Sequence, residues 1–538
     1  MRRVFFGAAA ATLVIIGSIA NVWRPVLWSL VVIIPLIALG VSDVVQTRHA
    51  VLRNFPIIGH FRYLLEFVRP EIQQYFVESN TDGKPFSRLE RGLVYARAKG
   101  ERDTLPFGTQ LDVQRTGYEF MAHSLDARTA PEIEPRIRIG GPRCTQPYDA
   151  SVFNVSGMSF GALSGAAVVA LNGGAAIGGF AMSTGEGGIS RHHRSHGGHL
   201  FWQIGTGYFG CRTPDGGFDE FAFVAKARDP QVVAVYVKLS QGAKPGHGGI
   251  LPGIKVTAEI AEARGVPVGV DCISPPVHRT FRTPIELLSW LDRLRTCIGG
   301  KPIGFKLCVG SWTEFLGIAK AMRETSITPD FIIVDGGEGG TGAAPLEFSN
   351  AVGTPLTDGL WFVHNALTGF DVRKDIRLIA SGKIVTGFDI VRRIALGADL
   401  CASARAFLFS IGCIQALRCN ANTCPTGVTT QDPRLTAGLV IADKKQRVAN
   451  YHAATVRAFL DMIAAAGLTH PSDIEPHHVR RRTSSSETRS YDEIYDYLHP
   501  GQLLDGPIPD RWRLAMARAR PDRFRPDPKN RALATAHA

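Results

Sequence analysis

The chain has 538 residues, a net charge of +12, 45% hydrophobic and 20% charged residues, an ordinary globular balance. That length suits a barrel of about 250 residues plus extensions. The positive charge comes without a zinc-finger pair, an RNP signature or a basic helix interleaved with aromatics, so nucleic acid is not the partner it implies.

The first elements are apolar. Met1-Arg2-Arg3 precedes Val4 to Val22, nineteen residues without a charge; Trp23-Arg24-Pro25 interrupts, and Val26 to Ser42 runs uncharged for seventeen more, carrying Pro35. Each run approaches the ~20 residues of a spanning helix. Positive charge at Arg2, Arg3, Arg48 and Arg53 outweighs that of the connecting turn. This predicts a hairpin over 1–45 in the cell inner membrane, with both ends and the catalytic domain on the cytoplasmic side and Trp23 and Trp28 near the far interface. A signal peptide, with Ser18-Ile19-Ala20 loosely imitating a cleavage site, and interfacial or buried helices are the competing readings. Residues 46–130 mix amphipathic stretches and loops and read as a helical collar or linker. In it, Arg53, His60, Arg62 and Arg69 face either lipid headgroups or plain solvent.

From about residue 150 a pattern of strand, glycine-rich loop and helix repeats. Apolar runs at Ser151–Val155, Gly178–Ser183, Val232–Lys238, Pro267–Cys272, Pro302–Cys308, Asp330–Asp335, Arg377–Ser381 and Ala398–Ser403 give eight strands. Helical patterns intervene at Leu163–Asn172, Lys255–Arg264, Pro284–Arg295, Thr313–Arg323 and Gly387–Leu396. The predicted fold class is α/β, a (β/α)8 TIM barrel with an N-terminal transmembrane helical hairpin and helical extensions; a doubly wound sheet lacks its fingerprint glycines. The stretch Glu186 to Asp229 reads as an insert roofing the active site. Residues 441–538 read as a helical extension, a polar linker at Arg480 to Ser486, and a loosely ordered basic tail with an arginine-rich run from Arg511 to Arg525.

Cys413, Cys419 and Cys424 fall within twelve residues as Cys-x5-Cys-x4-Cys, followed by Pro425. Thiolates from one short loop suit an iron–sulfur cluster at little closure entropy. Buried structural thiols, or zinc with a fourth ligand, fit the same spacing. Cys144, Cys211, Cys272, Cys297, Cys308 and Cys401 are scattered and read as core thiols of a reducing compartment.

Lys306 lies inside the apolar strand Ile303-Gly304-Phe305-Lys306-Leu307-Cys308, where an ammonium needs an anionic neighbour at the barrel mouth; a structural ion pair is the plain alternative. Lys238, in Val237-Lys238-Leu239-Ser240, poses the same problem. The loops after the last two strands, Ser381-Gly382-Lys383-Ile384-Val385-Thr386-Gly387 and Ala402-Ser403-Ala404-Arg405, sit where such barrels bind phosphate, aided by the helix starting near Gly387; a tight turn without a ligand is the alternative. Glu186, between glycines, suits an ammonium or a proton shuttle as well as it suits solvent. Asp335 and Glu338 are further carboxylates without a separable role.

Cys413 to Pro433, ending Cys-Pro-Thr-Gly-Val-Thr-Thr-Gln-Asp-Pro, resembles the cluster loop of the FMN-binding domain of glutamate synthase. Further segments resemble that domain in the same order: Ser156-Gly157-Met158-Ser159-Phe160-Gly161-Ala162-Leu163-Ser164, Ser183-Thr184-Gly185-Glu186-Gly187-Gly188, Gln241-Gly242-Ala243-Lys244-Pro245-Gly246 and Gly339-Gly340-Thr341-Gly342-Ala343. The resemblance spans roughly 131–440 and implies an FMN-binding barrel with a 3Fe–4S cluster on Cys413, Cys419 and Cys424. It further implies that Gly336, Gly337, Ser381, Gly382, Lys383, Ala402 and Ser403 hold the FMN phosphate, and that Ser159, Ser183, Thr184 and Gln203 meet the ring. Lys306 would face the flavin N1–O2 edge, Lys238, Gln241 and Lys244 the 2-oxoglutarate carboxylates, and Lys306, Glu186 and Lys238 would form the catalytic set.

The implied activity is a membrane-anchored oxidoreductase that reductively aminates 2-oxoglutarate to L-glutamate. No glutaminase domain fits before residue 130, so ammonia, or a primary amine giving an N-alkylglutamate, is expected from outside this chain. Electrons are expected from a separate donor, ferredoxin-like or membrane-bound. A flavin-dependent amino-acid dehydrogenase passing electrons to a membrane carrier, and a non-catalytic scaffold, are the readings from other classes.

Overall fold

The computed structural model describes residues 1–525, which divide into two compact units, Met1–Arg88 and the rest. The first boundary therefore falls at residue 88, and residues 46–88 group with the apolar hairpin.

In the first unit, two helices, Arg2–Ala20 and Arg24–Val45, are long and apolar enough to cross a membrane. The second begins with a 3-10 turn and carries Pro35. They form a hairpin: Arg2 Nε donates to the Arg53 carbonyl at 2.8 Å and its guanidinium to Asn54 Oδ1 at 2.7 Å, while Trp23 and Trp28 stand exposed at the turn. A third long helix, Gly59–Ile72, follows.

The second unit is built on a closed barrel of eight parallel strands. In chain order they are β1 (Phe153–Val155), β2 (Met182–Ser183), β3 (Leu200–Ile204), β4 (Val232–Lys238), β5 (Ile303–Leu307), β6 (Phe331–Asp335), β7 (Arg377–Ser381) and β8 (Leu400–Ser403), and β8 pairs with β1. Intervening helices start where the sequence supplies caps. Ser164, Thr257 and Thr283 each accept a backbone N–H of the following turn, and Thr386 with Asp389 forms a capping box.

Seven of the predicted strands correspond to barrel strands or parts of them, and one does not. Pro267–Cys272 contributes only Cys272 to a short antiparallel pair, Ile250–Leu251 with Cys272–Ile273, and its Val268 and Val270 are exposed. The true third strand is β3, inside the stretch predicted as a roof. The long excursion at the barrel mouth runs instead between β4 and β5.

The barrel interior is apolar at its base. An antiparallel hairpin, Ile137–Ile139 with Tyr148–Ala150, brings Ile137, Ile139 and Ala150 into a cluster with Ala181, Phe201, Ala234, Tyr236, Phe331, Ile333, Ile379 and Leu400. Asp330, 1% exposed, latches this end: it accepts the Gly141 and Ile303 amides at 2.8 and 2.7 Å and the Arg295 Nε at 3.1 Å.

The C-terminal extension is more ordered than predicted. Ile441–Ala465 packs on Gly165–Gly178, where Gly173 and Gly174 leave room for Lys445 and Val448. The segment predicted as a polar linker is a turn only over 483–486; its first residues belong to strand Val479–Arg482, the centre of a three-stranded antiparallel sheet with Glu119–Met121 and Thr488–Ser490. Within the predicted loose tail, Asp510–Arg518 is a helix. Its Trp512 is buried against Trp312 and Phe362, with ring centroids 5.2 and 5.3 Å away, and Lys320 Nζ donates to the carbonyls of Met516 and Ala519. The remainder of that tail, 526–538, lies outside the described residues.

Removing the Asp330 carboxylate leaves the Arg295 Nε and two buried amides without their acceptor, while Asp292 still pairs with Arg295 at 2.9 Å. Asp330→Ala is therefore expected to cost about 3 kcal/mol, whereas Asp149→Ala, from an exposed pair with Arg138 at 3.8 Å, stays within about 1 kcal/mol. Denaturant unfolding of both variants checks this difference.

Candidate functional site

Side chains alternate in and out along a strand, so the residue two past each interior apolar position also faces the barrel axis, nearer its C-terminal mouth. Ala181 is followed by Ser183, Phe201 by Gln203, Tyr236 by Lys238, Ile333 by Asp335 and Ile379 by Ser381, and all five of these mouth residues are buried. Lys306, two past Gly304, joins them from β5. The apolar plug thus ends in a polar floor at the lips of the strands.

Lys238 and Lys306 are register partners on the adjacent strands β4 and β5. Each ammonium has its own carboxylate. Lys306 Nζ lies 3.2 Å from Asp335 Oδ2, which also accepts the Gly242 amide at 2.8 Å. Lys238 Nζ is bonded to Glu186 Oε2 and lies 3.2 Å from Gln241 Oε1. Burial alone would raise the Glu186 carboxyl, but Lys238, with Arg264 and Lys244 farther off, holds it below the usual carboxylate range. Burial lowers the Lys244 ammonium. His278, in the excursion before β5, donates its Nε2–H to the Lys238 carbonyl at 2.9 Å; burial brings its ring to about 4, so it stays neutral.

A cleft of about 180 Å³ opens over this floor. It brings together Ser159, Glu186, Gln203, Gln241, Lys244, Lys306 and Cys419, drawn from segments up to 260 residues apart (419 less 159). Ser183 and Thr184 lie just beneath it. The Tyr236 hydroxyl bonds Ser183 Oγ at 2.6 Å and donates to Gln203 Oε1 at 2.8 Å, and Thr184 Oγ1 accepts the Gln203 amide at 3.2 Å.

The predicted phosphate loops sit side by side at the ends of β6, β7 and β8, but much of their hydrogen-bonding capacity is already used. Gly336 donates its amide to Ser381 at 2.9 Å and Gly337 to Thr354 at 2.8 Å. Ser381 Oγ bonds Ser156 Oγ at 3.1 Å, and Ser403 Oγ donates to the Ile384 carbonyl at 2.6 Å. Just before the helix that begins at Gly387, Asp389 Oδ2 takes the amides of Val385 and Thr386, both at 2.9 Å. Glu338 accepts the Leu356 amide at 2.9 Å. The Gly382–Lys383 turn, with φ of +148° and +48°, and the Ala402–Arg405 loop follow β7 and β8, and Arg405 lines the cleft.

The three clustered cysteines occupy one loop in which Gln415, Leu417 and Asn422 all adopt positive φ, a conformation that L-residues seldom take without external support. Burial, with the neighbouring Cys419 and Cys424, pushes the Cys413 thiol to about 12; hydrogen bonds from Thr426 and Thr429 overcome burial at Cys424 and lower it. The thiols are thus near enough to feel one another's charge. Among the described residues, however, no three His, Cys, Asp or Glu side chains converge in a metal-holding group. Their donor chemistry suits a thiophilic centre. Two residues tie the loop to the barrel mouth. Lys255, 1% exposed, donates to the carbonyls of Ala162, Cys419 and Thr429 at 3.0, 3.3 and 2.9 Å, and Gln431 Nε2 donates to Gly161 and Leu163 at 3.1 and 2.9 Å. Burial lowers Lys255 to about 8.

Lys255, Arg264 and Tyr236 were not singled out in the sequence. Tyr236 had a signal, being two residues before Lys238 in a strand. The other two did not, because only the fold brings them to the cleft.

Residues 142–469 match a family described as a conserved region in glutamate synthase. The chain belongs to the glutamate synthase family. It is 35% identical over 494 residues to the glutamate synthase large subunit-like protein YerD of Bacillus subtilis, covering 84% of this chain and 94% of that one. It is 31% identical over 358 residues to the NADPH archaeal glutamate synthase of Methanocaldococcus jannaschii, covering 65% of each. Against the large chain of the NADPH glutamate synthase of Bacillus subtilis it is 34% identical over 295 residues, only 18% of that protein. As a glutamate synthase-type protein it is an oxidoreductase, and it spans nearly all of YerD but a fraction of the other two relatives.

Lys255→Met keeps the volume and removes the donor, stranding three carbonyl oxygens. The expected result is a loss of about 1–3 kcal/mol of local stability, read as faster amide hydrogen exchange across residues 413–431 with β5 unchanged.

Proposed function

We propose that this chain is a membrane-anchored FMN and iron–sulfur oxidoreductase that reductively aminates 2-oxoglutarate to L-glutamate, with ammonia or an amine supplied from outside the chain. The observation that carries the reading is the pair of buried lysines at the barrel mouth, each with its own carboxylate, beneath a cleft that also reaches Cys419.

A bound FMN would supply two-electron chemistry at its ring, and a 3Fe–4S centre on Cys413, Cys419 and Cys424 one-electron exchange. The chain's own residues divide the remaining work. Lys306, fixed by Asp335, offers positive charge to the anionic edge of a flavin, and Ser159, Ser183, Thr184 and Gln203 supply polar contacts along the ring. Gly382, Lys383, Ala402 and Ser403 hold the phosphate with Arg405 nearby, while Gly336, Gly337 and Ser381 shape the rim. Lys238, Gln241 and Lys244 orient the carboxylates of a dicarboxylic oxo acid. Glu186, held ionised by Lys238, acts as an acceptor: it binds an ammonium or amine N–H, and it returns a proton to nitrogen less readily than an ordinary carboxyl would.

The two apolar helices support anchoring, and the Arg2 contacts with Arg53 and Asn54 bring the positively charged ends of the hairpin together. By the positive-inside rule those ends lie in the cytoplasm. The electron donor is then a separate ferredoxin-like protein or a membrane carrier.

The test is anaerobic purification of the full chain in detergent, with flavin and iron analysis, followed by reoxidation of the reduced flavin. Reoxidation is expected with 2-oxoglutarate plus ammonium or a primary amine, and not with either alone. Lys238→Met should abolish oxo-acid-dependent reoxidation, on the order of 100-fold or more, while retaining flavin. Cys419→Ser should lose the iron chromophore and keep the flavin. A chain without flavin, or one reduced by glutamate and reoxidised only by a quinone analogue, overturns the synthase reading.

A further inference from the structure

We infer that the helix Gly59–Ile72, with the turn that follows it, lies along the membrane interface with an apolar stripe against lipid, as a second element of attachment distinct from the hairpin. The inference rests on the membrane reading above.

Ile58, Phe61, Leu64, Leu65, Ile72 and Phe76 recur at helical three- and four-residue spacing, so they share one face. That face is bare: Phe61 is 65% exposed, Leu65 61% and Phe76 85%. Arg62, paired with Glu66 at 3.2 Å, and Arg69 flank it. A continuous apolar face of this length on a helix edged by arginines has the composition of an interfacial helix rather than of a solvated one.

The opposite face is pinned to the end of the hairpin. Asp43, 4% exposed in the last turn of the second apolar helix, accepts the Ile57 amide at 2.9 Å and lies 2.9 Å from His60 Nε2. Gly59 packs on Leu52, where an added Cβ would come 3.2 Å from the Leu52 Cα, and the Tyr63 ring meets His49 edge-on at 5.4 Å. The helix is therefore held at the point where the second apolar helix ends. That end is where the hydrocarbon of a bilayer gives way to headgroups, so the occupant of the stripe is the lipid surface itself. Phe61, Tyr75 and Phe76 supply the aromatic rings favoured at that depth.

The test uses the full chain reconstituted into vesicles of phosphatidylcholine and phosphatidylglycerol that carry doxyl quenchers placed shallow or deep on the acyl chain. Phe61→Trp and Leu65→Trp probe the stripe, Glu66→Trp probes the flank, and the unsubstituted chain supplies the background of native tryptophans. The expected result is that the added emission at 61 and 65 is blue-shifted and quenched about twofold more by the shallow quencher than by the deep one, with position 66 unquenched. Absence of quenching at 61 and 65 overturns the inference, as does their protection by a second copy of the chain, shown by a dimeric mass in detergent that is lost in Phe61→Asp/Leu65→Asp. Alkaline carbonate extraction reads the hairpin independently. Resistance to extraction with an unquenched stripe sinks the interfacial helix alone, whereas release with a quenched stripe sinks the spanning hairpin alone.

Discussion

Two ammonium groups sit side by side at the lips of adjacent strands, and the mouth of this barrel is arranged around that fact. Lys238 and Lys306 are cross-strand partners, both almost wholly removed from water. Like charges directly opposite one another destabilise a sheet, and a buried cation without a partner costs far more. The chain resolves both problems by lateral separation. Glu186 comes from the loop after β2 to meet Lys238, and Asp335 comes from the tip of β6 to meet Lys306, so each cation is drawn away from the other. The two carboxylates are in turn held by what surrounds them. Asp335 takes the Gly242 amide, and Glu186 lies under Gly205 and Gly249, where added Cβ atoms would approach it to 2.9 and 2.8 Å. The glycines of these loops are thus a consequence of bringing backbone close to a carboxylate.

This constraint explains what was legible in the sequence and what was not. A lysine inside an apolar strand announces its need for an anion, so Lys306 and Lys238 could be marked from composition alone. Which anion each would find depends on the order of strands around the barrel, and that was misread by one. Leu200-Phe201-Trp202-Gln203-Ile204 is buried on both faces and lacks the alternation of a half-exposed strand, and only Ile204 is β-branched. Enclosed by glycines, it read as part of a loop. Pro267–Cys272 carries valines in alternation and looked more like a strand, yet it lies exposed above the mouth, because pairing rather than local pattern decides which apolar run is built into a closed sheet. The phosphate loops illustrate a different limit. Glycine and a helix start suggested free N–H groups; the capping box of Thr386 and Asp389, itself written in the sequence, takes up the amides of Val385 and Thr386 just before that start.

At the cysteine loop, sequence and structure carry complementary information. Spacing names three thiols and their proximity along the chain. It says nothing of Lys255 and Gln431, which reach the loop from the excursion before β5 and from the loop's own far end, and which fasten it to the carbonyls after β1. Three residues at positive φ make this a segment that does not hold its shape through local preference. Its conformation is maintained from outside, by donors whose targets are backbone oxygens. The clamp acts on backbone oxygens rather than on sulfur, and burial around Cys413 penalises its thiolate, a cost that a bound cation or a protonated thiol relieves.

The N-terminal unit follows the same rule with a single charge. Asp43 would be costly near the end of an apolar helix, and its burial is sustained by the Ile57 amide and the His60 ring. Presenting that amide requires Ile57 at a φ of +64°, unfavourable for a β-branched residue. The strain is local, whereas the bond it permits joins two helices whose apolar surfaces would otherwise be free to rotate past one another. One carboxylate therefore fixes the angle at which the hairpin passes into the amphipathic helix, and with it which face of that helix is turned outward. The sequence shows an aspartate at the close of an apolar run; only the contact shows that it is the hinge pin of the unit.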